Sequence, residues 1–169
     1  MKVYILRGGS GAGKSTWISK NLPGAMVFSA DKFFEKDGEY MFDVKKLNEA
    51  HGWCLRNFVN CCDTLSESNH PANNPGNDVA VIDNTNTRLV EFASYATIAQ
   101  AYGHELQVIT FIYDPVAAFK RNTHGTPLKV CMAQHQRLAE ETKLIPPWWN
   151  HDYALWDETW PFASNSGDN

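Results

Sequence analysis

No segment of this chain is both long and apolar enough to span a bilayer, and no charged-then-apolar leader precedes the first apolar run, so neither a membrane span nor a signal peptide is expected. The expected location is the cytoplasm. Cysteine is scarce. The four thiols, Cys54, Cys61, Cys62 and Cys131, show neither metal-ligand spacing nor a disulfide framework, which suits reduced core residues in a reducing compartment. An excess of positive charge is also lacking: 15 Lys and Arg stand against 19 Asp and Glu, for a net charge of −4. The stretch from Pro146 onward carries Asp152, Asp157, Glu158 and Asp168 with no Lys or Arg, so the rest of the chain is neutral. That balance excludes tight, sequence-blind coating of nucleic acid, although a local basic strip could hold one strand. No internal repeat is visible, and 169 residues suffice for one self-sufficient domain.

Against these absences stands Gly8-Gly9-Ser10-Gly11-Ala12-Gly13-Lys14-Ser15, a full GxxxxGK(S/T) phosphate loop. It follows the strand-like run Val3-Tyr4-Ile5-Leu6 and precedes the helix-compatible Thr16-Trp17-Ile18-Ser19-Lys20. A loop that wraps a polyphosphate must turn its N–H groups inward, which needs backbone conformations and close approach that a Cβ blocks. Lys14 reaches the terminal phosphates, Ser15 offers a hydroxyl to Mg²⁺, and the helix N-terminus adds its dipole. The pattern therefore predicts a nucleoside triphosphate site from Gly8 to Thr16, with ATP and Mg²⁺ as ligands.

Apolar spacing predicts the remaining elements. Met26-Val27-Phe28-Ser29 reads as a buried strand ending near Asp31, and Lys36-Asp37-Gly38 as a loop. From Asp43, a plausible N-cap, to Cys61 the apolar positions recur at helical spacing. Thr64 to Asp78 is rich in Ser, Asn, Pro and Gly and reads as a mobile surface insertion. Val79-Ala80-Val81-Ile82 predicts a strand, Leu89 to Gly103 a helix, and Leu106 to Tyr113 another strand. Asp114-Pro115 starts a helix that stops by Gly125, and a further helix runs from Leu128 to Lys143. Strands alternating with helices predict an α/β fold, a doubly wound parallel sheet with helices on both faces and a helical lid. Residues 1–145 form the expected domain and 146–169 an aromatic, acidic tail.

Five sites beyond the loop carry candidate chemistry. Asp83 ends a buried strand where a carboxylate reaches the metal shell of Ser15, as a Walker B aspartate, or else it makes an Asx-turn. Asp31 either serves as the base that accepts a proton from an acceptor hydroxyl or caps the helix-like Lys32-Phe33-Phe34-Glu35. Lys120, Arg121 and His124, with Lys129 and Arg137, form either a cationic lid over the phosphates or a solvated helix face, with Arg121 the strongest lid candidate. His51 either lines an acceptor pocket or is an ordinary helix residue. The aromatics Trp148, Trp149, Tyr153, Trp156 and Trp160 either stack bases or cover a sheet edge or partner surface.

Taken together, the phosphate loop, Ser29-Ala30-Asp31, Val81-Ile82-Asp83-Asn84-Thr85-Asn86 and Lys120-Arg121-Asn122 resemble the kinase module of polynucleotide 5′-hydroxyl kinases and related AAA-type ATP-binding proteins, common in phages. The resemblance covers about Met1 to Lys143. It implies that Asp31 is the general base, that Lys14 and Ser15 bind phosphates and Mg²⁺, and that Arg121 belongs to the lid. Two positions depart from the pattern: Phe34 stands where an arginine holds an acceptor phosphate, and a second lid arginine is replaced near His124. The expected activity is transfer of the γ-phosphoryl group of ATP to a hydroxyl on a nucleic acid or nucleoside. A hydroxymethylated pyrimidine in DNA, a small metabolite, or an ATP-hydrolysing switch remain alternatives at this point.

Overall fold

The computed structural model describes residues 1–36, 38–66 and 79–155. The apolar run after Met1 forms β1 (Lys2–Arg7), and the phosphate loop leads from it into α1 (Lys14–Asn21). Next come β2 (Met26–Phe28), a 3₁₀ turn over Ala30–Phe34, and a small antiparallel hairpin of β3 (Glu35–Lys36) and β4 (Glu39–Tyr40). The hairpin stands where a plain loop was expected. The long helix α2 (Leu47–Ser66) begins four residues later than its predicted cap. The Asp43 carboxylate instead accepts from Lys45 N at 2.9 Å and caps a 3₁₀ turn, Val44–Lys46, which runs into α2. Thr64 extends α2; residues 67–78, most of the expected insertion, lie outside the described part. Then follow β5 (Val79–Asp83), α3 (Leu89–Ala101), β6 (Glu105–Ile112), α4 (Pro115–Arg121), α5 (Leu128–Thr142) and β7 (His151–Leu155).

Five strands form one parallel sheet in the order β2-β5-β1-β6-β7. Because side chains alternate across each strand, the central strands feed two cores. Val3 and Ile5, with Ala80, Ile82 and Val108, pack on α2 and α3 through Cys54, Phe58, Phe92 and Ala96. Leu6, Val81, Ile109 and Phe111 pack on the opposite face against Ile18, Ala118 and Leu138. The sheet is thus doubly wound, with the phosphate loop at the carboxyl end of its middle strand, where the strand order diverges to either side. Cys54 and Cys62 are core residues whose thiol pKa values burial raises, to about 12 for Cys62.

The sheet also extends beyond the predicted boundary at residue 145. β7 pairs with β6 in parallel from Val108↔His151 to Ile112↔Leu155, so these residues complete the sheet rather than stand apart from it. Only Ala154 of β7 is buried, and an edge strand with a single inward residue leaves no apolar period to read. Trp149 is buried against Phe92, with its Nε1 donating to Gln100 Oε1, whereas Trp148 and Tyr153 are exposed. Trp156 and Trp160 lie outside the described residues.

One buried cation ties these layers together. Arg7, fully buried at the end of β1, donates to the backbone oxygens of Asn86 and Thr87 and to the hydroxyls of Thr110 on β6 and Thr142 on α5. Its guanidinium lies 4.8 Å from the Phe92 ring centroid. Burial pushes its pKa down to about 10, partly offset by Glu141 and Glu91, so the side chain remains charged at neutral pH. Arg7→Met keeps the length of the stem and removes every one of these donors. It is expected to lower unfolding free energy by about 2–4 kcal/mol in urea titration, because buried acceptors lose their partners.

Candidate active site

The loop from Gly8 to Lys14 is held from both sides. On its inner side, Gly8 N donates to Thr85 O at 2.9 Å, which joins the start of the loop to the segment after β5. On its outer side, Gly9 N donates to the Tyr113 hydroxyl at 2.8 Å and Ser10 N to Gln134 Oε1 at 3.0 Å. Two glycines are obligatory for distinct reasons. Gly13, at φ 92°, turns the chain into α1 with no side-chain cap, so the first N–H groups of the helix are left for an anion. Gly11, at φ 75°, lies so close to α4 that a Cβ would fall 2.0 Å from Ala118 O.

A cavity of about 310 Å³ opens above this loop, lined by Ser10 through Thr16 and by Asp31, Asp83, Asn84, Thr85, Arg121, Thr123 and His124. Lys14 Nζ donates to Gly8 O at 2.9 Å and Gly9 O at 3.2 Å, which leaves one of its three donors for a ligand. Burial lowers the Lys14 pKa, and the Asp83 and Asp31 carboxylates oppose that shift. Ser15 Oγ donates to Asp83 Oδ2 at 3.1 Å. That contact follows from register: Asp83 pairs with Leu6, so the end of β5 lies beside the root of the phosphate loop. A hydroxyl and a carboxylate so placed are hard oxygen donors, the set that Mg²⁺ takes up alongside phosphate oxygens.

Asp31 reaches the same cavity from β2. Phe28 pairs with Ile82, so the residues that follow β2 run beside Asp83 and Asn84, and Asn84 Oδ1 accepts from Ala30 N at 2.8 Å. The cap of the 3₁₀ turn is Ser29, whose Oγ accepts from Asp31 N. The Asp31 carboxylate is therefore not the cap. Its Oδ1 accepts from the Tyr40 hydroxyl at 3.2 Å, and burial together with that carboxylate pushes the Tyr40 pKa up to about 12, keeping it a donor.

The cationic stretch divides. Arg121, at the end of α4, lines the cavity and donates from Nη2 to Gly11 O at 3.3 Å. His124 also lines it, whereas Lys120, Lys129 and Arg137 do not. Lys120 and Lys129 are exposed, in keeping with a solvated face. His51 lines a neighbouring cavity together with Asp31 and His124. Tyr40, Tyr113 and Gln134 are absent from the sequence-based candidates, and Asn84 and Thr85 enter them only as part of the motif that follows Asp83. Asp37-Gly38 is the dipeptide that marks a two-residue hairpin, and it would have located Tyr40. Tyr113 and Gln134 lie over 100 residues from the loop they brace, with no local signal.

The AAA domain family matches residues 3–140. Human NEDD4-binding protein 2 is 30% identical over 132 residues, which are 73% of this chain; the chain spans 7% of that protein's length. An uncharacterized protein of Pasteurella multocida (strain Pm70) is 26% identical over 159 residues, 86% of this chain and 83% of that one. Among solved structures, a gluconokinase from Sinorhizobium meliloti 1021 superimposes with a TM-score of 0.52 at 11% identity, covering 91% of this chain and 82% of its own. A candidate kinase from Chloroflexus aurantiacus j-10-fl gives 0.56 at 14% identity, covering 91% and 84%. At such identities the two structures establish the fold alone; with the AAA domain match and the parallel sheet it is the α/β fold of P-loop NTPases.

Gly11→Ala is expected to lower stability by about 2–4 kcal/mol, since its neighbour is backbone that can yield only if α4 moves. Gly24→Ala, at φ 86° with nothing within 4 Å, bears backbone strain alone and is expected to cost about 1 kcal/mol. Thermal unfolding of the two variants side by side checks the difference.

Proposed function

The chain belongs to the AAA domain family, and on that footing we propose that it is an ATP- and Mg²⁺-dependent kinase that transfers the γ-phosphoryl group to a hydroxyl of a nucleic acid or nucleoside. The observation that carries this reading is the position of Asp31. Its carboxylate lines the phosphate-loop cavity, is relieved of capping by Ser29, and accepts from Tyr40 on Oδ1. Oδ2 is then the atom that meets an incoming hydroxyl.

In the proposed reaction the phosphate loop and the N-terminus of α1 hold the triphosphate through backbone N–H groups. Lys14 and Arg121 bring positive charge to the phosphoryl oxygens, where charge spreads in a loose transition state. Ser15 and Asp83 are the residues that would hold Mg²⁺, which when bound neutralises phosphate charge. Asp31 takes the proton of the acceptor hydroxyl as the new O–P bond forms. The bond between the γ-phosphorus and its bridging oxygen breaks, and the electron pair leaves with the diphosphate. Tyr40, a neutral donor to Oδ1, positions the base.

Lys14→Ala is expected to abolish ATP binding in calorimetric titration. Asp31→Asn is expected to keep ATP affinity within about twofold and to lower transfer by about 100-fold or more, since only the proton acceptor is lost. Wild-type transfer by the Asp31 variant would overturn the assignment. Hydrolysis that needs no acceptor, with no phosphorylated product, would mark the protein as an ATP-driven switch instead.

A further inference from the structure

A second cavity, of about 510 Å³, adjoins the first and shares Ser10, Asp31, Asn84, Thr85 and His124 with it. That volume is within the roughly 300–1,000 Å³ typical of small-molecule sites. Its outer wall is aromatic. Tyr40 and Phe42 lie 6.5 Å apart and within 15° of parallel, and the His124 ring stands 5.4 Å from Tyr40. Both wall residues keep much of their surface open, with Tyr40 42% and Phe42 54% exposed. His51 from α2 and Val130 from α5 complete the enclosure.

Charge separates the two cavities. Lys14 and Arg121 line the phosphate-loop cavity, but among the described residues no Lys or Arg lines the second, where Asp31 is the one formally charged group. Lys36 and Lys46 line a separate hollow that shares Tyr40 and Phe42 with this cavity. Flat rings, two imidazoles and a carboxylate suit an uncharged heterocycle that stacks on the wall and turns a hydroxyl toward Asp31. A nucleoside 3′-phosphate or a strand end is a different matter. Held in this cavity, its nearest phosphate sits on the same sugar as the reacting 5′-hydroxyl, close to the Asp31 carboxylate and among described lining residues that include no Lys or Arg, and like charges brought together repel.

We infer that the acceptor is an uncharged nucleoside, bound in this second cavity with its base against Tyr40 and Phe42, rather than a phosphorylated nucleoside or a polynucleotide end. This rests on the kinase reading above, since it takes Asp31 as the group that meets the hydroxyl. The chemical step is the same one, and its product is a nucleoside monophosphate.

The test offers γ-labelled ATP and Mg²⁺ with a nucleoside, its 3′-monophosphate, and a 5′-hydroxyl oligonucleotide beginning with that nucleoside. Expected is a kcat/KM for the nucleoside at least about tenfold above either phosphorylated acceptor. Phe42→Ala is expected to raise nucleoside KM about tenfold and leave KM for ATP unchanged, as loss of a stacking face should. Val44, which lines the cavity and is 69% exposed, tolerates a cation without disturbing the core, so Val44→Lys is expected to narrow or reverse the preference. Preference of the wild type for the 3′-monophosphate or the oligonucleotide, with transfer still dependent on Asp31, would overturn this inference and leave the kinase reading standing. An unchanged nucleoside KM in Phe42→Ala would do the same. Labelling of no acceptor by a protein that binds ATP would overturn both.

Discussion

The guanidinium of Arg7 sets the geometry on which the site depends. It occupies the last position of β1, directly before the phosphate loop, and holds the backbone of Asn86 and Thr87, a β6 hydroxyl and an α5 hydroxyl at once. A buried cation with no carboxylate bonded to it among the described residues is tolerated because carbonyl and hydroxyl oxygens, the Phe92 ring and the field of Glu141 and Glu91 together replace its hydration. Asn86 adds a reciprocal tie. It sits at φ 46°, a conformation asparagine accepts more readily than most residues, and its Nδ2 donates to Leu6 O at 2.8 Å. The segment after β5 is thereby locked to the end of β1. Asp83 and Asn84 come to lie beside the phosphate loop as a result.

From that anchor the loop is braced by the protein's own groups. Its outer N–H groups are satisfied by Tyr113 and Gln134, its lysine by its own carbonyls, and Gly11 packs on α4 with no room for a side chain. The helix that carries Arg121 is consequently in contact with the loop, and Arg121 bonds the Gly11 carbonyl. Preorganised donors of this kind need little rearrangement as charge develops on a bound phosphate. The two cavities meet at Asp31, which borders both and is approached by Tyr40 from the hairpin. The cavity lined by Lys14 and Arg121 and the one whose described lining holds no Lys or Arg therefore meet at one carboxylate.

Much of this arrangement was legible in the chain itself. Glycine spacing, the apolar runs flanking it and the Asp114-Pro115 start are local signals, because a turn, a strand and a helix cap are each decided within a few residues. Ambiguity entered wherever one residue type serves two purposes. Asp31 reads equally as a cap or a free carboxylate until Ser29 is seen to cap the turn, and Lys120 and Lys129 could not be assigned to lid or solvated face until the cavity was seen to be lined by Arg121 and not by them. The strand β7 left no pattern, since an edge strand with one inward residue has no apolar period to detect.

Residue order alone thus determined the phosphate loop, the alternation of strands and helices and hence a parallel doubly wound sheet, since dihedral preference and apolar period act over short spans of chain. Tertiary packing decided which distant groups converge: Tyr113 and Gln134 on the back of that loop, Arg7 across to Thr142, and His51, His124 and Val130 around the second cavity. Those contacts join residues up to 135 positions apart, and no local preference encodes a meeting that exists only once the sheet register has aligned the strands.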